Sequence, residues 1–224
     1  MRSRPRVRPD VSPTSGAAIP RRTHQYPRRP NVAPASDYPI VLFADRAAFR
    51  AWLDAHHASQ AGLWLRIAKA ASPLRSVTYA EALDVALCFG WIDGQKKSYD
   101  ADTFLQKFTP RQKRSPWSKR NCEHVERLLA AGEMHPAGLA AVEAAKADGR
   151  WDRAYDSPAT ATVPDDLRAA LDAHPEASAF FETLTGANRY AILYRIQTAV
   201  KPETRARRIA EFVAMLRRRE SLRP

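Results

Sequence analysis

The 224-residue sequence predicts an α+β protein: a small, mainly antiparallel sheet with a hairpin, flanked by helices and followed by an all-helical C-terminal module. Three observations carry this prediction. Strand-like apolar alternation is confined to residues 39–109. Segments of 3.6-residue period, each opened by a capping residue or proline and several closed by glycine, occur on both sides of that region. Beyond residue 155 no strand pattern recurs. With 45% apolar residues and five Trp, the chain has enough apolar surface for a sizeable core.

Residues 39–44, PIVLFA, form a short β-branched run and read as a strand. Asp45 then caps a helix that places Phe49, Trp52 and Leu53 on one face. GLWLRIAKA, residues 62–70, alternates as a second strand, with Leu63, Leu65 and Ile67 opposite Trp64, Arg66 and Ala68. Thr78-Tyr79-Ala80-Glu81 is a capping box, and its helix runs through residues 81–89 to a left-handed stop at Gly90. WIDGQKKS and TFLQKFT follow, joined by a turn at residues 99–102, and read as an antiparallel hairpin with Gly94 at a bulge or close approach. Ser115-Pro116 predicts the start of the next helix, which carries Cys122, Val125, Leu128 and Leu129 at helical spacing and ends at Gly132. His135-Pro136 opens another, ending before Gly149. In the last third, Pro164-Asp165-Asp166, His174-Pro175, Ala187 and Pro202-Glu203 open four more helices.

The expected organisation is an Arg/Pro-rich tail over residues 1–36, an α+β domain over 37–155 and a helical module over 156–224. The tail holds eight Arg against one Asp and seven of the 17 prolines, and cannot bury enough apolar surface to offset the entropy of ordering. It contains no apolar stretch long enough for a secretory signal. No apolar run anywhere is long enough to span a membrane, and a cytoplasmic location is expected. The net charge of +12 is unevenly spread: +7 lies in the tail, +6 in residues 96–120 and +5 in residues 201–224, leaving the rest acidic. A weak nucleic-acid contact is therefore expected of residues 1–36 rather than of the folded part. Cys88 and Cys122 stand far apart inside helical patterns, which fits a reducing compartment better than a disulfide scaffold. The six His show no spacing for a metal site, and neither a cofactor motif nor a catalytic nucleophile is evident.

Strict alternation would turn Leu63, Leu65, Ile67, Ile92, Phe104 and Phe108 to the core. It would then set Trp64, Arg66, Asp93, Gln95, Lys97, Lys107 and Thr109 on the opposite face. Downstream, Arg111, Lys113, Arg114, Lys119 and Arg120 surround a helix start, whose free amides favour anions. Lys69, Asp93, Gln95, Lys107, Arg111, Trp117, Ser118 and Asn121 are the candidate ligand-binding residues, for an anionic small molecule or a phosphorylated group. Asp93 would orient a ligand amine or act as a base, with Lys69, Lys107 or Arg111 favouring its charged form. Equally, it would serve structurally by capping the turn. Two other readings are carried: nucleic-acid binding through the basic segments, and an enzyme using Asp93.

The blocks ALCFGWIDGQ, FTPR (residues 108–111), SPWSKRN (115–121) and GEM…AG (132–138), followed by VPDDL through KPETRARRI (201–209), resemble the YdeI/OmpD-associated, or bacteriocin-protection, family. The resemblance spans roughly residues 38–220. It implies a small protein linked to envelope stress and to resistance against bacteriocins or antimicrobial peptides, and it carries over no catalytic residue. Trp91, Asp93, Phe108, Arg111, Trp117, Ser118 and Asn121 fall within its motifs. The function expected is thus a cytoplasmic, non-catalytic binding protein in a protective response.

Overall fold

Strand β1 (Ile40–Val41) is shorter than the PIVLFA run, because Phe43 turns into the core and Asp45 must cap the following helix. The computed structural model describes residues 38–222, so the predicted tail over residues 1–36 lies outside the described residues. β1 pairs in parallel with β2 (Leu63–Ala68). β2 pairs antiparallel with β4 (Thr103–Pro110), which in turn pairs antiparallel with β3 (Trp91–Ser98), giving the order β1-β2-β4-β3. Among the described residues, this mixed, mainly antiparallel sheet and eight helices make an α+β fold.

Local chemistry fixes the elements that hold the sheet. The Asp45 carboxylate accepts from the Ala48 amide at 3.0 Å and starts α1 (Arg46–His56), whose Phe49 and Leu53 are fully buried. Thr78 and Glu81 form both halves of the predicted capping box at the start of α2 (Tyr79–Cys88). Gly90, at φ +72°, reverses the chain as anticipated, and β3 returns beside α2. α2 is buried over most of its circumference and forms the centre of the first apolar cluster, with α1, β2 and α3 packed around it.

The hairpin corrects the predicted faces. Asp93 pairs with Phe108 and Lys96 with Gln106, so β3 carries one extra residue at Gly94-Gln95. Residues directly opposite in an antiparallel pair share a face. Asp93 therefore lies on the same face as Phe108 and Leu63, while Ile92, opposite Thr109, takes the other. Trp91, 1% exposed, is the inward anchor that sets this parity, and the bulge reverses it again for Lys97. Trp64, Arg66, Lys97 and Lys107 do share the second face, where the Lys97 ammonium lies 4.3 Å from the centre of the Trp64 ring.

The predicted helix start at Ser115-Pro116 is also corrected. Ser115 closes a turn by accepting from the Gln112 amide, and Ser118 caps α3 (Lys119–Ala130) by accepting from the Asn121 amide at 3.1 Å. A start at Ser115 would have carried Trp117 into the helix. Instead its backbone pairs with residue 155: Tyr155 donates its amide to the Trp117 carbonyl, and Lys119 donates to the Tyr155 carbonyl, each at 2.9 Å.

Helix α4 (Pro136–Ala147) starts at the predicted proline, with His135 as cap. Its Gly138 lies directly against the end of α2, where a Cβ would stand 2.1 Å from the Cys88 carbonyl oxygen. Helices α5 (Asp165–Asp172), α6 (Pro175–Thr183), α7 (Gly186–Gln197) and α8 (Pro202–Arg217) enclose a second apolar cluster centred on Leu167, Phe181, Ile192, Ile196 and Leu216. Asp156 links the two clusters. Its carboxylate takes Lys119 at 2.7 Å and the Gln197 amide at 2.6 Å, and its carbonyl accepts the Tyr190 hydroxyl at 3.0 Å. Burial works against the Asp156 charge, yet the bonds from Lys119 and Gln197 hold its carboxyl below the usual range.

Candidate functional site

Where α2, β3 and the first turn of α3 meet Tyr155 and α7, the chain encloses a cavity of about 250 Å³. Three of the eight candidate residues line it: Asp93, Ser118 and Asn121. Each arrives for a local reason. The capping box fixes the first turn of α2 and so places Tyr79, the residue after the cap, over the start of β3. There its hydroxyl donates to Asp93 Oδ2 at 2.8 Å. The parity set by Trp91 directs Asp93 to this side of the sheet. Ser118 and Asn121 enter as the cap and third residue of α3, whose N-terminal end carries partial positive charge.

Tyr155 and Tyr190 close the cavity from the C-terminal side, and Arg120 stands at its edge. Burial pushes the Tyr155 hydroxyl up, and pushes that of Tyr190 up to about 12. Tyr79 is raised further, first by burial and then by the charge and hydrogen bond of Asp93. All three hydroxyls therefore keep their protons at neutral pH. One wall offers a carboxylate beside neutral phenols, and the other a helix start with a guanidinium. That combination can hold a small ligand bearing both an anionic group and a hydrogen-bond donor.

Arg111 and Trp117 lie behind this cavity rather than at its mouth. The guanidinium stacks on the indole at 3.5 Å, and its Nη1 donates to the Pro116 carbonyl at 3.1 Å. Trp117 is 1% exposed. Arg111 Nε and Nη2 and the Trp117 indole N–H are buried with no protein partner among the described residues. Burial pushes the Arg111 guanidinium down to about 10, so it stays charged at neutral pH, and Tyr155, Cys122 and Asp93 are near enough to act on that charge. The backbone holds Arg111 here through its amide, which donates to the Gly90 carbonyl at 2.9 Å.

The remaining three candidates lie elsewhere. The Lys69 ammonium donates to the carbonyls of Asp100 and Ala101, at 2.8 and 2.9 Å, and pins the β3–β4 turn. Gln95 is exposed in the bulge. Lys107 sits on the second sheet face, its ammonium 4.9 Å from the centre of the Tyr38 ring. The basic residues beyond β4 are likewise divided: Arg120 joins the cavity, Lys119 pairs with Asp156, and Lys113 and Arg114 face a different cavity.

Sequence reasoning missed Tyr79, Tyr155 and Tyr190 as a set. Tyr79 had a usable signal, an aromatic residue directly after a helix cap and one hairpin strand away from Asp93. Tyr155 and Tyr190 had none, because Tyr155 reaches the cavity through its backbone pairing beside Ser118 and Tyr190 through the placement of α7. Among the described residues, no three His, Cys, Asp or Glu side chains are grouped closely enough to hold a metal ion.

Comparison with known families divides the chain in two. Residues 160–219, which contain helices α5 to α8 entire, match the family described as bacteriocin-protection, YdeI or OmpD-associated, the family that the sequence resembles. Residues 41–141, which carry the sheet, Asp93 and the start of α3, match a domain of unknown function, DUF8412. No curated protein matches the chain significantly. No solved structure does either.

Proposed function

We propose that the chain is a binding protein for a small anionic ligand, held between Asp93 and the first turn of α3, that acts in the cytoplasm in a stress or antimicrobial-resistance response. One observation carries the ligand reading: a cavity with Asp93 and Tyr79 on one wall faces the α3 start and Arg120 on the other. The ligand's anionic group sits beside the α3 N-terminus and Arg120, where the positive end of the helix dipole and the guanidinium both favour negative charge. Its donor group is taken by Asp93. The protective role draws on the match of residues 160–219 to a family described by bacteriocin protection. The cytoplasmic location draws on two buried free cysteines, Cys88 and Cys122. Among the described residues, no helix is long and apolar enough to cross a membrane.

O-phospho-L-serine, which carries a phosphate and an ammonium as well as an α-carboxylate, is a suitable probe. In an amide-resolved NMR titration it should shift Arg120, Asn121 and Asp93 saturably. Asp93→Asn and Arg120→Ala should each weaken binding at least fivefold. Absence of saturable shifts at these residues, or unchanged affinity in both variants, would remove the proposal.

A further inference from the structure

A second cavity, of about 440 Å³, opens beside the loop after β4, between the turn that follows α4 and the end of α7. Four cations line it, Lys113, Arg114, Arg150 and Arg153, against a single carboxylate, Asp148. Two of them are fixed before any ligand arrives. Arg150 Nε donates to both Asp148 carboxylate oxygens at 2.8 Å, and its Nη1 donates to the Ser115 carbonyl at 3.1 Å. Arg153 Nη2 donates to the Asp148 carbonyl at 2.9 Å. Gly149 makes room for this guanidinium: a Cβ there would stand 2.6 Å from Arg153 Nη1. Lys113 and Arg114 are exposed and have no acidic partner among the described residues.

Gln197 and Thr198 add polar groups to the lining, and the remainder is apolar. Pro116 contributes to it, and Val200 projects at the mouth with 71% of its surface exposed. A simple inorganic anion would use the cationic rim and leave this surface wet. A ligand with an apolar body and a phosphate head would cover both.

We infer that this cavity binds an organic phosphate monoester, its phosphate on Arg114, Arg153 and Lys113 and its apolar body against Pro116 and Val200. Guanidinium groups suit the phosphate because their paired N–H donors match two of its oxygens at once. Arg153, already held by the Asp148 carbonyl, also loses little freedom on binding. The site shares no residue with the Asp93 cavity, so it stands or falls independently of the function proposed above.

Phenyl phosphate and inorganic phosphate, titrated separately into the full chain by calorimetry, test this inference. Phenyl phosphate should bind at least tenfold more tightly than inorganic phosphate, and more weakly as salt rises. An Arg114→Ala/Arg153→Ala double variant should weaken it at least tenfold, while Arg207→Ala, which removes an exposed arginine of α8 outside both cavities, should change it less than twofold. Both arginines are exposed, so the thermal midpoint of the double variant should confirm an intact fold, and Val200→Ser should reduce the preference for the phenyl ester. No saturable binding at millimolar phenyl phosphate, equal affinity for the two anions, or an unchanged double variant would overturn the inference. Sedimentation with phosphatidic acid vesicles without binding of phenyl phosphate would also overturn it, by assigning the phosphate to a membrane surface.

Discussion

Replacing Arg111 with Met separates what the buried guanidinium does for stability from what it does for the cavity in front of it. Burial moves this group from its ordinary 12.5 to about 10. At about 1.4 kcal/mol per pKa unit, holding the charge inside costs about 3.5 kcal/mol. Two contacts work the other way: the stack on Trp117 contributes about 2 kcal/mol in a desolvated setting, and the charged hydrogen bond to Pro116 contributes about 1.5 to 3 kcal/mol. The terms nearly cancel. Methionine keeps an unbranched stem against the indole without a charge to bury, so urea unfolding of Arg111→Met should give a stability within about 1 kcal/mol of the parent. Arg111→Ala, which removes the stem as well, should lose about 2 to 3 kcal/mol. The affinity of Arg111→Met for O-phospho-L-serine should fall about threefold to tenfold, because the cation behind Asp93 is gone. A loss of more than about 3 kcal/mol in Arg111→Met would refute the near-cancellation and make the guanidinium chiefly structural. Unchanged affinity would show that its field does not reach the cavity.

Two further predictions concern the frame. Gly138→Ala forces a methyl group onto the Cys88 carbonyl at the α2–α4 contact, where neither backbone can yield without moving its helix. The expected cost is about 3 kcal/mol, read as a drop of roughly 6–12 °C in thermal midpoint; a drop under about 2 °C would contradict the close approach. Asp166 is held below the usual carboxylate range, chiefly by its hydrogen bonds from Arg205. Its contribution is therefore present above the unfolded Asp value, about 3.9, and lost as pH falls through the lower folded value. The pair is half exposed, which limits the effect to about 0.5 kcal/mol. Asp166→Asn should thus melt below the parent at pH 7 and converge with it once pH has fallen below the folded value, and a difference that stays constant as the solution is acidified would argue against the assignment.

Most element starts were legible because each depends on a few neighbouring residues. Asp45, the Thr78–Glu81 box, Gly90 and the prolines at 136, 175 and 202 act within a single turn, and the structure uses every one of them. Ser115 misled for the same local reason. A serine followed by proline satisfies the rules for a helix start, and only the pairing of Trp117 with Tyr155 moves the cap to Ser118. The parity of β3 failed because Trp91 and Ile92 are both apolar. Sequence alternation cannot choose between them, and a bulge of one residue then shifts everything beyond it.

The sequence by itself determined the class of fold, the order of its elements and the basic, Trp-containing character of residues 108–121, since these follow from short-range periodicity and capping. Tertiary structure alone decided which of those residues meet. It buried Arg111 and Trp117 against each other, turned Asp93 toward Tyr79, and brought Tyr155 and Tyr190 to the α3 start. It also gathered Arg150 and Arg153 beside Lys113 and Arg114. Side chains tens of residues apart converge only once two apolar clusters have packed, and no local pattern along the chain encodes the distance between them.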